Sequence, residues 1–347
     1  NKEGLIEVVE NDRPRIDYTD SEDGVFLLEK AATNLNTYSD PTFAQQGSTS
    51  YASITYQDNY NWGLGNVINN AIVFGDNSTT RYAYYNSTVS SGTEYTLSAF
   101  IKMDDNSKPI PSTDFLIVLA GISFASGYNV ESYGNNIYRV SVSGIAGASN
   151  TANGILKIAS NSTKGFTISG FQVESGNLSS YIPTQGTIQT RVAETASGSG
   201  NSEVFNDSEG VLFANIAANA NNGTNRKIVL GDGSYNNGIE FGYQTTTNKM
   251  QFIIRSGGSI SMNIETIYFD VTKFSKALIS YKSNQGKVFV NGFQVGTTDT
   301  SVVTPIGINQ LDLKFSSSFD FEGKTKEIAY YDEILTDLEL ETLTSYR

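Results

Sequence analysis

The sequence predicts an all-β chain built as two tandem antiparallel β-sandwiches, and three observations predict it. Apolar residues recur at alternate positions in many short runs, the period of strands that put one face into a core. Clusters of Gly, Asn, Ser and Asp separate those runs roughly every 8 to 12 residues, the spacing of sandwiches. Only 17% of residues are charged, while Asn, Ser, Thr, Gly and Tyr abound, a composition suited to strands joined by many turns. At 347 residues the chain is too long for one ordinary sandwich, so two domains are expected, each able to bury a core.

Residues 1–24 are acidic and polar, without helical or strand periodicity, and read as an extended lead-in that serves assembly. The first sandwich is expected over 25–192. In it Tyr95, Leu97, Ala99, Ile101 and Met103 alternate onto one face. Phe115 to Phe124 is almost wholly apolar and reads as a central strand buried on both sides. In Phe166 to Val173 the apolar phase runs through Phe166 and Ile168, then slips by one to Phe171 and Val173, with Gly170 at the slip, which predicts a bulge. A stretch rich in Ser, Gly, Ala and Thr from Ala193 to Ser202 marks the boundary, and the second sandwich is expected over 193–347. There Gly238–Tyr243 and Met250–Ile254 read as a hairpin. Ala277–Tyr281, Lys287–Val290 and Phe293–Val295 read as a meander whose last turn is Asn291-Gly292, the dipeptide favoured where both central residues need positive φ. Thr336 and Glu339 fit a capping box ahead of Leu340 and Leu343, so one short helix closes the domain.

Composition excludes several chemistries. The chain has no cysteine and no histidine, which removes disulfides, thiolate nucleophiles, Cys/His zinc sites and a Ser-His-Asp relay. A formal charge of −13 disfavours nucleic acid and anionic membrane as partners. No apolar stretch reaches membrane-spanning length, so no membrane insertion is expected. The opening Asn-Lys-Glu-Gly is neither a signal peptide nor an initiator Met, and Asn1 reads as the start of an ordered or processed part of a longer product.

Arg13-Pro-Arg-Ile-Asp-Tyr18, followed by Gly24 to Tyr38, resembles a segment of tailed-phage structural proteins that leads into a carbohydrate-binding-module-like jelly roll. Tyr95–Lys102, Asn136–Val142, Gly170–Gly176, Ser180–Thr184 and Thr190-Arg191 fit the same family in the same order, over about residues 13 to 192. The sequence departs from the family at Ile137-Tyr138, where Trp-Tyr is usual. Ala277–Tyr281, Val288–Gly292, Phe321–Gly323, Lys326–Tyr331 and Leu335–Leu340 resemble a laminin G-like, concanavalin-type sandwich. The first resemblance implies a virion fibre, commonly trimeric, and the second implies lectin-like or adhesive roles, sometimes with structural calcium. A fold alone does not establish function.

Glycan-binding candidates are aromatic residues in polar runs, because sugars stack C–H faces on rings while their hydroxyls bond Asn, Asp and Gln. Tyr56, Tyr60 and the lone Trp62 form one such run; the competing reading is that Trp62 plugs the end of the first core. Tyr84, within Arg81–Tyr85, is a second candidate, with cross-strand packing as the alternative. In the second domain Asp232, Tyr235 and Asn236 lie in a Gly-bounded polar loop that turn chemistry would equally explain. Asp20-Ser-Glu-Asp23 and Asp320-Phe-Glu322 offer oxygen ligands of the kind calcium takes but lack an EF-hand ladder. They read as solvated acidic patches, with structural calcium as the alternative and no other cofactor expected. A Glu-x-Asp-x-x-Glu strand, which concanavalin-type glycosidases use to align their carboxylates, is missing.

The expectation is therefore a non-enzymatic phage virion appendage, a tail or head fibre or decoration protein. It would bind surface glycans or polysaccharide, assemble as a homotrimer and join other virion proteins. The competing expectations are an inert structural virion protein and a glycoside hydrolase or lyase. A secreted or bacterial cell-surface location is the alternative to the virion.

Overall fold

The computed structural model describes residues 1–346 except 11, 20, 41, 43–53, 77–79, 121, 125, 158–163 and 315–319, and of 84–86 and 150–152 it describes the backbone alone. The chain forms two compact units, one of Asn1–Arg13 with Ala31–Val192, the other of Pro14–Lys30 with Ala193–Arg347. Each is an antiparallel β-sandwich.

In the first unit a six-stranded sheet runs, in spatial order, Tyr128–Ser132, Ile137–Ile145, Glu94–Met103, Phe166–Ser175, Asn70–Phe74, Ile54–Asp58. A four-stranded sheet of Arg81–Val89, Asn150–Lys157, Leu116–Leu119 and Ile122–Ser123 faces it. Tyr95, Leu97, Ala99, Ile101 and Met103 all enter the core between them. Phe100, on the opposite face of the same strand, joins a smaller cluster, so this central strand is buried on both sides. The predicted bulge is present: pairing with Glu94–Met103 steps from Ser169 opposite Phe100 to Gln172 opposite Ser98. Two residues thus face one, which lets Ile168 and Phe171 enter the same core. Gly170 has φ +62°, and a Cβ there would lie 2.5 Å from the Phe100 ring, so only glycine fits.

The run Phe115–Phe124 is not one central strand. It turns at Ala120, φ +49°, into the hairpin Leu116–Leu119 and Ile122–Ser123, whose second arm is an exposed sheet edge. Periodicity cannot separate a buried strand from a hairpin when the turn residues are themselves apolar.

In the second unit a seven-stranded sheet runs Ile16–Asp17, Val25–Leu28, Gly323–Tyr331, Glu209–Ala218, Ser275–Lys282, Gln285–Val290, Phe293–Gln294. The facing five-stranded sheet is Ser259–Glu265, Met250–Ser256, Gly238–Tyr243, Arg226–Gly231, Gln310–Asp312. Leu212, Ala214, Ile216, Phe241, Phe252 and Ile279 are among the residues that fill the space between. The strand Val25–Leu28, read from sequence as the start of the first sandwich, belongs here instead: Phe26, Leu27 and Leu28 pair with Thr325, Lys324 and Gly323. The lead-in is likewise divided. Ile6 donates its N–H to Leu64 O at 2.7 Å within the first unit, while Arg15 pairs with Glu29 and, at 2.8 Å, with Glu194 in the second.

The Asn291-Gly292 turn has φ +52° and +87°, with Val290 paired to Phe293, as the dipeptide predicts. The helix Asp337–Thr344 carries the full capping box: Glu339 N donates to Thr336 Oγ1, and Thr336 N donates to the Glu339 carboxylate at 2.7 Å. Its Leu340 packs on Val211, Phe213, Leu278 and Phe289, the outer face of the seven-stranded sheet. Thr336→Ala is expected to cost about 1 kcal/mol, measured by denaturant unfolding; an unchanged midpoint would show that packing alone holds the helix.

Candidate functional site

The aromatic platform expected around Trp62 is not assembled. Trp62 is only 3% exposed and sits in a cluster with Leu64, Ile68, Ala71, Phe100 and Ile137. Its indole N–H donates to Asn70 O at 3.0 Å, and Tyr60 meets it edge-on at 5.1 Å. A buried Trp needs a partner for that N–H, and the polar run supplies it by doubling back: Tyr60 N donates to Asn69 O at 2.7 Å. Tyr60 is half-buried against this cluster. Tyr56 is half-buried against the main core, and burial pushes its phenol far above the usual tyrosine range. The side chain of Tyr84 lies outside the described residues.

The second-unit candidates are brought together on the loop joining Arg226–Gly231 to Gly238–Tyr243. Asp232 accepts from Ser234 N at 2.8 Å and from Asn237 Nδ2 at 2.9 Å. Burial raises the pKa of Asp232, but these hydrogen bonds outweigh it and hold the carboxyl below its ordinary value, so it is ionised at neutral pH. These bonds shape the loop. The loop is pinned to the neighbouring hairpin as well, since Gly257 N donates to Asn237 Oδ1 and Gly258 N to Asn236 O, both at 2.9 Å. Asn236 is exposed on this fixed backbone.

Tyr235, at the loop apex, is 50% exposed, and the Arg255 guanidinium carbon lies 4.1 Å from its ring centroid. Arg255 is in turn held by Glu240, 3.3 Å away. The ring is thus half-exposed with a cation against it. Arg255 escapes a sequence reading because it arrives through strand register: it pairs with Gly238, which pairs with Gly231. A second exposed aromatic, Tyr268 at 68%, lies under the Lys249 ammonium at 4.9 Å and was likewise not legible in the sequence.

On the same sheet Lys227 is buried and donates to Gln251 Oε1 at 3.0 Å. Burial lowers its pKa to about 8, against 10.5 ordinarily. Between those values the unfolded chain binds more protons than the folded one, so this group makes stability rise with pH from about 8 to 10. Melts of the protein and of Lys227→Met across that range should diverge, the wild type gaining on the variant; parallel curves would refute the assignment.

Of the acidic pairs considered for calcium, Asp20 lies outside the described residues, and Glu322 is an ion-pair partner of Arg226 at 3.7 Å. Among the described residues no group of three or more His, Cys, Asp or Glu is arranged to hold a metal.

No family model and no curated protein matches the chain. Among solved structures it is similar to the CBM40 of the Ruminococcus gnavus IT-sialidase bound to α2,3-sialyllactose, at 16% identity and TM-score 0.36, over 44% of this chain and 97% of that one. A heptameric SAP-like pentraxin from Limulus polyphemus aligns at 12% identity and TM-score 0.35, over 43% of this chain and 74% of that one. The Trypanosoma rangeli sialidase in complex with the inhibitor DANA aligns at 18% identity and TM-score 0.32, over 40% of this chain and 23% of that one. Each likeness spans less than half of this chain, and the sandwich assignment rests on the strand pairing itself.

Proposed function

We propose that the chain is a non-catalytic glycan-binding protein displayed on the outside of a phage particle, as a homotrimeric fibre or decoration protein joined to other virion proteins. The observation that carries glycan binding is the half-exposed Tyr235 ring, backed by Arg255 on a loop locked by Asp232 and Asn237. A pyranose would lay its C–H face on the ring and direct hydroxyls to the exposed Asn236. One such contact is weak, and repeated copies convert it into firm attachment. The ordered resemblance of Arg13–Tyr38 and the later segments supports the particle context. The commitment of Asp232 to loop donors and of Glu240 to Arg255 supports a site without catalysis.

A glycan array probed with multivalently displayed protein tests this reading. Binding to host-surface polysaccharide, with no new reducing ends released, is the expected result. Silence across the array, or release of reducing ends, would overturn it. The second reading, inert sandwiches serving as spacers, draws on the burial of Trp62 and the half-burial of Tyr56 and Tyr60. It requires that Tyr235→Ala leave adsorption unchanged.

A further inference from the structure

We propose that the first unit carries a second, separate carbohydrate site, an open cleft of about 560 Å³ that takes a mono- or disaccharide unit of a neutral glycan. Its volume lies within the roughly 300–1,000 Å³ of small-molecule sites. One wall is Asn69 and Asn70; the other carries Gln185, Gln189, Thr190 and Arg191. Asp40 lines it as well. None of these residues belongs to the Tyr235 loop, and the inference does not rest on that platform.

The cleft is built from fixed parts. The Asp40 carboxylate accepts from Asn69 N at 2.7 Å, Asn70 N at 2.8 Å, Asn70 Nδ2 at 3.2 Å and Ser169 Oγ at 2.8 Å. Each of its oxygens therefore has two donors, and its work is to hold the Asn69–Asn70 wall in place. The opposite wall is tied down next door: Thr184 N donates to Ser39 Oγ at 2.8 Å, and Tyr181 OH donates to the same oxygen at 2.7 Å. Further along, Thr190 shares a 2.7 Å hydroxyl bond with Thr33, and Gln189–Arg191 pairs as a strand with Ala32–Asn34. Rigid walls avoid the ordering cost of binding.

The chemistry of the rim selects the ligand class. Asn69, Gln185, Gln189 and Thr190 are exposed carboxamides and a hydroxyl, groups that donate and accept from one side chain and so match the paired hydroxyls of a sugar. Among the described lining residues Arg191 is the single cation and Asp40 the single carboxylate. With no surplus of positive charge, an anionic ligand gains nothing here that a neutral one lacks.

The test is an amide-resolved NMR titration of the full chain carrying Tyr235→Ala, which weakens the other site, with glucose, galactose, mannose and their disaccharides, and with sialic acid as the anionic control. Saturable shifts confined to residues 39–40, 67–70 and 182–191, and about tenfold weaker in Gln185→Ala/Gln189→Ala, are expected. Both glutamines are exposed, so the double variant keeps its fold and its melting temperature serves as the check. Absence of saturable shifts, shifts unchanged in the folded double variant, or a response to sialic acid alone would each overturn the proposal. All three outcomes are independent of whether Tyr235 binds glycan.

Discussion

Tyr235→Ala is expected to weaken single-site glycan affinity by about tenfold while leaving the melting temperature within error. An aromatic contact adds about 0.5–1.5 kcal/mol beyond the area it buries, and 1.4 kcal/mol is a factor of ten. The ring is half-exposed and its loop is held by bonds of Asp232, Asn237, Gly257 and Gly258, which remain when the platform is truncated. Tyr235→Phe keeps the stacking face and should retain most of the affinity. Arg255→Ala is a different experiment: it strips the ring of its backing and leaves the buried Glu240 without its cation, so it lowers stability as well as binding. On a multivalent display the single-site loss is compounded at every engaged copy, and adsorption of a trimer or particle should fall far more than tenfold. Isothermal titration on the unassembled chain and adsorption at multivalent display separate the two effects. Full affinity in a folded Tyr235→Ala chain would remove this residue from the site.

What the sequence made legible was local. The alternation from Tyr95 to Met103, the phase slip at Gly170, the Asn291-Gly292 turn and the Thr336–Glu339 box each carry their instruction within about ten residues, and the structure shows all four. What it hid was long-range. Nothing in Val25–Leu28 says that its partner strand begins at Gly323, since a sheet edge accepts any strand of matching pattern. The polar run around Tyr60 suggested exposure for Trp62, yet the acceptor for its indole sits eight residues on, at Asn70. Arg255 comes to Tyr235 through strand register, paired with Gly238 on the neighbouring strand. The exposure of Tyr235 and Asn236 was readable because turn residues announce themselves by composition; the cation against the Tyr235 ring was not.

Trp62→Ala should destabilise the first unit by about 3–5 kcal/mol, the range for deleting a buried Trp or Phe, which lowers its melting temperature by roughly 10 °C. The loss combines the cavity left among Leu64, Ile68, Phe100 and Ile137 with the carbonyl of Asn70 deprived of its donor. Trp62→Phe fills much of the space but still orphans the carbonyl, and should fall between. Trp62 is the single tryptophan of the chain, so its fluorescence reports on the first unit alone. In the intact protein the emission should be that of a shielded indole and should shift to the red as this unit unfolds. The same signal decides the role of the residue, because a sugar stacked on an exposed indole perturbs its emission, whereas one seated on Tyr235 does not. Saturating glycan that changes adsorption but leaves the Trp62 spectrum unmoved is the expected result. A saturable spectral shift in the folded protein would return Trp62 to the binding surface, against the burial found for it here.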